Sequence, residues 1–229
     1  MRFTNKPVAG LPWADRLDYF RRRCNARFPP SIPMPMIRSV SVYCGARRGA
    51  NPRFLETASH VGTTLAKAGI RVIYGGSRAG MMGALADATM AAGGTVTGVI
   101  PAGLERAEIR HPAVEDMRIV SGMHERKSVF TTEADAFLVL PGGIGTLDEL
   151  FEAWTWGYLG IHQKVIGILN VDDFYTPLRT FLDGAGSAGL IDAPAFDRLL
   201  WGADIETLLE SMQLWEPTGL PLWRASMDR

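Results

Sequence analysis

The stretch "PGGIGTLDEL", residues 141–150, follows the apolar run "AFLVL", so a buried strand is expected to leave through two glycines and enter a helix within a few residues. Such a junction presents unpaired backbone N–H groups and the positive end of a helix dipole, a setting that suits a phosphate or another anion. Gly142, Gly143 and Gly145 permit backbone dihedrals and a close approach that a β-carbon hinders, and one monophosphate fits such a loop. Two readings of the acid stand side by side. Thr146 and Glu149 have the S/T-x-x-E spacing of a capping box, in which each side chain satisfies the other's backbone donor; the alternative is a carboxylate placed for catalysis.

A second motif, "GMHERKS" at 122–128, sets Arg126 and Lys127 together near the start of the helix that precedes "AFLVL". Arginine matches phosphate oxygens in a bidentate fork and supplies a formal positive charge that backbone donors lack. Arg126 is equally suited to a structural salt bridge with Glu149. Adjacent helical residues point about 100° apart, so both cations address one phosphate only at a helix end or with the ligand between them.

Other chemistries are disfavoured. The first strand is followed by "CGARRG" and the second by "GGSRAGMMG", neither with the G-x-G-x-x-G offsets of a dinucleotide fingerprint, and no G-x-x-x-x-G-K-[ST] occurs. His60, His111, His124 and His162 show no metal-ligand spacing, so no metal is expected, and only His124, near Arg126, merits attention. No G-x-S-x-G elbow marks a serine nucleophile.

The elements that would carry these residues alternate. "SVSVYCG", a helix near 52–68, "IRVIYGG", a helix near 80–92, "TVTGVIP", "MRIV", a helix from about Met123, "AFLVLPGG", a helix over about 146–159 and "KVIGILN" run in βαβα order, with further helices near 174–183 and 204–213. Strands nearly continuous in Val, Ile and Leu are what a parallel sheet covered on both faces requires. The predicted fold class is therefore α/β: a doubly wound, mainly parallel Rossmann-like sheet, a single domain with an N-terminal arm. Ligands in such sheets bind beyond the carboxyl ends of the strands, where "YCGARRG", "YGGSRAG" and "PGGIGT" all fall.

The domain is expected over 37–215, preceded by an arm and proline-rich connector at 1–36 and followed by a tail at 216–229. With 24 basic and 24 acidic residues the chain has a formal charge of +0, so no global field draws it to nucleic acid or to a membrane. Cys24 and Cys44 make no secreted disulfide framework, and the N-terminus lacks the apolar centre of a secretory signal, so a cytoplasmic location is expected.

"GGSRAGMMG", "MHERK" and "PGGIGTLDE" together make the chain resemble the LONELY GUY family of cytokinin riboside 5′-monophosphate phosphoribohydrolases. The likeness covers roughly residues 38–190, with the P-G-G-x-G-T-x-x-E pattern complete from Pro141 to Glu149. It implies hydrolysis of the N-glycosidic bond of a nucleoside 5′-monophosphate, AMP included, to a free adenine-type base and ribose 5-phosphate, by at least a homodimer. Trp154, Trp156 and Tyr158 are candidate contacts, or else core fillers. Catalytic roles are implied for Arg126 and Glu149, and substrate-binding roles for Glu108, Lys127, Gly142, Gly143, Ile144, Gly145, Thr146 and Asp148. Relatives often carry the label lysine decarboxylase, which needs pyridoxal phosphate on a Schiff-base lysine. Lys6, Lys67, Lys127 and Lys164 stand in no such setting, and no cofactor is expected. The rival from another class is a nucleotide-binding module that leaves its ligand intact.

Overall fold

The computed structural model describes residues 37–105 and 110–217. The expected arm, Glu108 and nearly all of the expected tail lie outside the described residues. The strands are β1 (Ser39–Tyr43), β2 (Arg71–Tyr74), β3 (Val96–Pro101), β4 (Asp116–Val120), β5 (Ala136–Val139), β6 (Ile166–Leu169) and β7 (Leu199–Gly202). The helices are α1 (Arg53–Lys67), α2 (Gly80–Ala91), α3 (Met123–Glu133), α4 (Ile144–Tyr158), α5 (Thr176–Ser187), α6 (Ala193–Phe196) and α7 (Ile205–Gln213). All seven strands run parallel in the order β4-β3-β2-β1-β5-β6-β7, the α/β architecture expected from the sequence.

Alternate strand residues feed two cores, as the twofold period of a strand dictates. Val40, Val42, Val72, Tyr74 and Leu138 pack with Val61 and Leu65 of α1, Leu85 of α2 and Leu208 of α7. Tyr43, Ile73, Phe137 and Val139 pack on the other face with Phe130 of α3, Leu150 and Trp154 of α4 and Leu182 of α5. Helices thus shield both faces, and the strand interiors need no polar face. β7 and α6 escaped the sequence reading: "LLWG" is a four-residue strand buried only at Leu199, with no alternation to betray it.

The strand order places a switch point at the centre. From β1 the chain winds outward through β2 and β3 to β4, then crosses back through α3 to β5, which pairs with β1 on its other side. The loops leaving β1 and β5 therefore diverge, opening the crevice in which such sheets hold ligands.

Two positions test this packing. α1 and α2 cross closely enough that a β-carbon at Gly62 would collide with the Leu85 carbonyl oxygen and stand 2.7 Å from Thr89 Oγ1. Gly62→Ala is expected to lower the free energy of unfolding by about 1–3 kcal/mol through overpacking, whereas Gly184→Ala, on the open side of α5 with nothing within 4 Å, raises it by about 0.5–1 kcal/mol; urea denaturation of both variants checks the signs. His162 is buried, accepts the Lys164 N–H at Nδ1 (3.2 Å) and so presents its Nε2 proton to the Ala153 carbonyl at 2.8 Å. Burial, with smaller help from Lys164 and Arg198, pushes its pKa down to about 4. The unfolded chain takes up this proton near pH 6.5 and the folded chain does not, so stability is complete above that pH and falls as the pH drops towards about 4. Denaturation midpoints over this window should show a shallower slope for His162→Gln than for the parent.

Candidate active site

Three loops meet at the carboxyl edge. The Gly45 N–H donates to the Pro141 carbonyl (3.1 Å), tying the β1 loop to the β5 loop, and the Met81 N–H donates to the Gly45 carbonyl (3.1 Å), tying it to the start of α2. α4 begins at Ile144 with Gly143 as its N-cap, and no side chain caps it. Thr146 therefore lies inside the first turn and Glu149 beyond it, so the capping-box reading does not hold. The amides of Ile144, Gly145 and Thr146 precede the first i→i−4 bond, Leu147 N–H to Gly143 carbonyl at 3.1 Å.

The glycines here act through space and not through unusual dihedrals. None of Gly142, Gly143 and Gly145 has a positive φ, against the expectation that special backbone angles require them. A β-carbon at Gly142 would collide with the Thr146 hydroxyl, whereas at Gly143 and Gly145 it would meet nothing within 4 Å. The first turn of α4 is thus left bare on its outer side, where Ile144 is 89% exposed.

α3 starts one residue after Gly122, and Glu125 reaches back to accept the Ser121 N–H and hydroxyl at 2.7 and 2.6 Å, bonds that hold its carboxyl below the usual range. This start points Arg126 inwards. Its Nε donates to the Val99 carbonyl (3.1 Å) and Nη2 to the Gly75 carbonyl (3.2 Å), while Phe130, one turn on, sits 5.3 Å from the guanidinium. A β-carbon at Gly75 would strike Nη2, so this glycine makes room for the arginine. Arg126 Nη1 lies 3.8 Å from Glu149 Oε1, and both residues are buried. The salt bridge weighed in the sequence exists, at a length beyond a hydrogen bond.

Lys127 turns the other way, to Asp148 (2.8 Å) and Glu152 (2.9 Å) of α4. Burial lowers its pKa, and the hydrogen bonds to these two carboxylates outweigh that and hold it above the ordinary value. The two cations therefore diverge, as helical geometry requires: one seats in the sheet edge and the other locks α3 to α4. A lysine so held is charged and is no Schiff-base nucleophile at neutral pH.

Two supports were not read from the sequence. Tyr43, at the end of β1, packs between Phe130 and Phe137 at ring distances of 5.8 Å, and burial followed by the Glu149 carboxylate pushes its hydroxyl pKa well up; the Cys44 thiol is raised by the same causes. His111 anchors the segment after Glu108: its N–H donates to the Gly76 carbonyl (3.0 Å), its Nδ1 accepts from the Ala113 N–H, and Nε2 meets Asp87 at 3.0 Å. Backbone carbonyls and ring stacking leave no mark in a motif, which is why these contacts were invisible. His124 is exposed. No cluster of three or more His, Cys, Asp or Glu capable of holding a metal, and no helix long and apolar enough to cross a membrane, occurs among the described residues.

A family model described as "Possible lysine decarboxylase" matches residues 82–212. The chain is 37% identical to a cytokinin riboside 5′-monophosphate phosphoribohydrolase of Rhodococcoides fascians over 78% of its own length and 91% of the relative's. It is 46% identical to the enzyme of that name, LOG, of Oryza sativa subsp. japonica, over 67% of its own length and 64% of the relative's. Among solved structures, the protein TM1055 superposes with a TM-score of 0.60 at 24% identity, covering 78% of this chain and 99% of that one. A molybdenum cofactor carrier protein of Chlamydomonas reinhardtii gives 0.59 at 19%, covering 78% and 98%; at these identities the likeness is one of fold. With three glycine loops meeting at the carboxyl edge, a buried Arg126–Glu149 pair and this degree of identity, the chain belongs to the family of the cytokinin riboside 5′-monophosphate phosphoribohydrolases.

Proposed function

We propose that this chain hydrolyses the N-glycosidic bond of a nucleoside 5′-monophosphate, a cytokinin riboside 5′-monophosphate or AMP, releasing the adenine-type base and ribose 5-phosphate. The observation that carries the reading is a buried carboxylate, Glu149, one turn inside an uncapped helix whose first amides are open. A phosphate on the amides of Ile144, Gly145 and Thr146 sets the ribose over the following turn. Breaking the bond between the anomeric carbon and the base nitrogen builds positive charge on the ribose, and a carboxylate in a water-poor site stabilises that charge. A water oxygen then bonds to the anomeric carbon, and its proton accompanies the departing base. Arg126, fixed by the carbonyls of Gly75 and Val99, orients Glu149 across a 3.8 Å ion pair. Asp148 acts through its bridge to Lys127, which keeps α3 and α4 in register. Glu108 is assigned to the substrate on the family resemblance.

We further read the protein as a cytoplasmic homodimer. Trp154 fills the core and donates to the Ala195 carbonyl, so it is not a contact residue. Leu159 and Ile161 are 46% and 63% exposed beyond the end of α4, beside a groove of about 440 Å³ lined by Thr131, Trp156 and Lys164. A second copy covering this face would bury them.

Incubation with AMP and with an N6-prenylated AMP, followed by chromatography of free base, tests the activity. The parent should release base, and Glu149→Gln should lose at least about a hundredfold in kcat; intact nucleotide that binds without turnover would mark a non-catalytic module instead. Sedimentation velocity should give twice the chain mass, with Ile161→Asp shifting the protein to monomer; a monomeric parent refutes the dimer.

A further inference from the structure

We infer that Arg47 and Arg78 supply the formal positive charge that selects a phosphorylated substrate over the bare nucleoside, an inference that rests on the nucleotide reading of the glycine loops. A phosphate monoester is largely a dianion at neutral pH, and backbone amides offer only partial charges against it. The two cations singled out by the "MHERK" motif are already engaged. Arg126 is buried against two carbonyls and faces Glu149, and Lys127 is bridged by two carboxylates. Of the other basic residues near this edge, Arg53 pairs with Asp172 (3.4 Å) and Arg110 with Glu105 (3.5 Å).

Among the described residues, Arg47, Arg48 and Arg78 remain. All three are exposed and form no ion pair among the described residues. Gly80 has φ +58°, and a β-carbon on it would stand 2.5 Å from the Ala46 carbonyl group and 2.6 Å from the Arg47 carbonyl carbon, so the β1 loop lies directly on the start of α2. The Arg47 carbonyl oxygen is also within 3.6 Å of where a Gly45 β-carbon would be, and that point is 3.5 Å from the Gly142 Cα. The Arg47 backbone is therefore within side-chain reach of the bare first turn of α4. Arg78 flanks the same start of α2 in a turn fixed by the Ala79 N–H to Ser77 Oγ bond at 3.0 Å. Arg48 lies one residue further from the Gly80 contact. Two exposed arginines with no carboxylate or carbonyl partner among the described residues thus stand on the two loops tied to the one that takes the phosphate.

Because this charge acts on the phosphate and not on the reacting bond, its loss should weaken binding in ground and transition states alike. Arg47→Ala and Arg78→Ala are each expected to raise the KM for AMP about tenfold, with kcat within about threefold of the parent. The inhibition constant of inorganic phosphate should rise in step, and that of adenosine should stay. Arg53→Ala, whose cation is paired elsewhere, should leave all of these unchanged. Thermal melts check folding, and Arg47→Gln with Arg78→Gln repeats the test should an alanine variant unfold. A double variant whose KM for AMP and phosphate inhibition lie within twofold of the parent overturns the inference. If the parent releases no base at all, the proposed reaction fails separately, and calorimetric titration with AMP then decides the arginines: weaker binding by the double variant supports them, equal binding refutes them.

Discussion

The seating of Arg126 governs the rest of the site. Its guanidinium joins the carbonyl ends of β2 and β3 to the carboxylate of α4, and it does so only because Gly75 lacks a side chain and α3 begins just after Gly122. A buried cation without such partners is strongly unfavourable, and so is a buried carboxylate, so each fixes the place of the other. At 3.8 Å the pair is longer than a tight bidentate bridge. The contact orients groups more than it stabilises the fold.

That arrangement divides the cations of the edge by role. Arg126 bridges β3, the end of β2 and α4, Lys127 binds α3 to α4 through Asp148 and Glu152, and Arg47 and Arg78 are exposed with no ion pair among the described residues. Two neighbouring positions in one motif thus serve different elements, because a step of one residue on a helix turns the side chain by about 100°. The bare first turn of α4 completes the division by offering amides where no side chain competes. The open amides and the buried Glu149 carboxylate are then separated by about one helical turn.

Much of this was legible before any coordinates. Apolar runs at the expected spacing marked six of the seven strands, and "PGGIGTLDE" marked the strand-to-helix junction, because a buried parallel sheet and a tight turn each leave a compositional trace. β7 did not show, since an edge strand of four residues needs neither continuous hydrophobicity nor alternation. The Thr146–Glu149 spacing pointed equally to a capping box, and only the actual helix start at Ile144 excluded it. Gly142 was singled out for backbone freedom and close approach, and only the second holds, against the Thr146 hydroxyl; Gly75, which makes room for the Arg126 guanidinium, could not be read that way from spacing.

Residue types and their order along the chain were enough to establish a layered α/β fold and a strand-to-helix junction at residues 141–149, and they offered the Arg126–Glu149 salt bridge as one of two readings. They could not establish which protein groups Arg126 and Lys127 each engage. That distinction depends on carbonyls of β2 and β3 and on carboxylates of α4 meeting across the sheet edge, contacts between segments as far apart as Gly75 and Arg126. Local spacing encodes periodicity and turn chemistry, whereas the partner of a buried charge is set by packing, and packing exists only once the whole sheet has assembled.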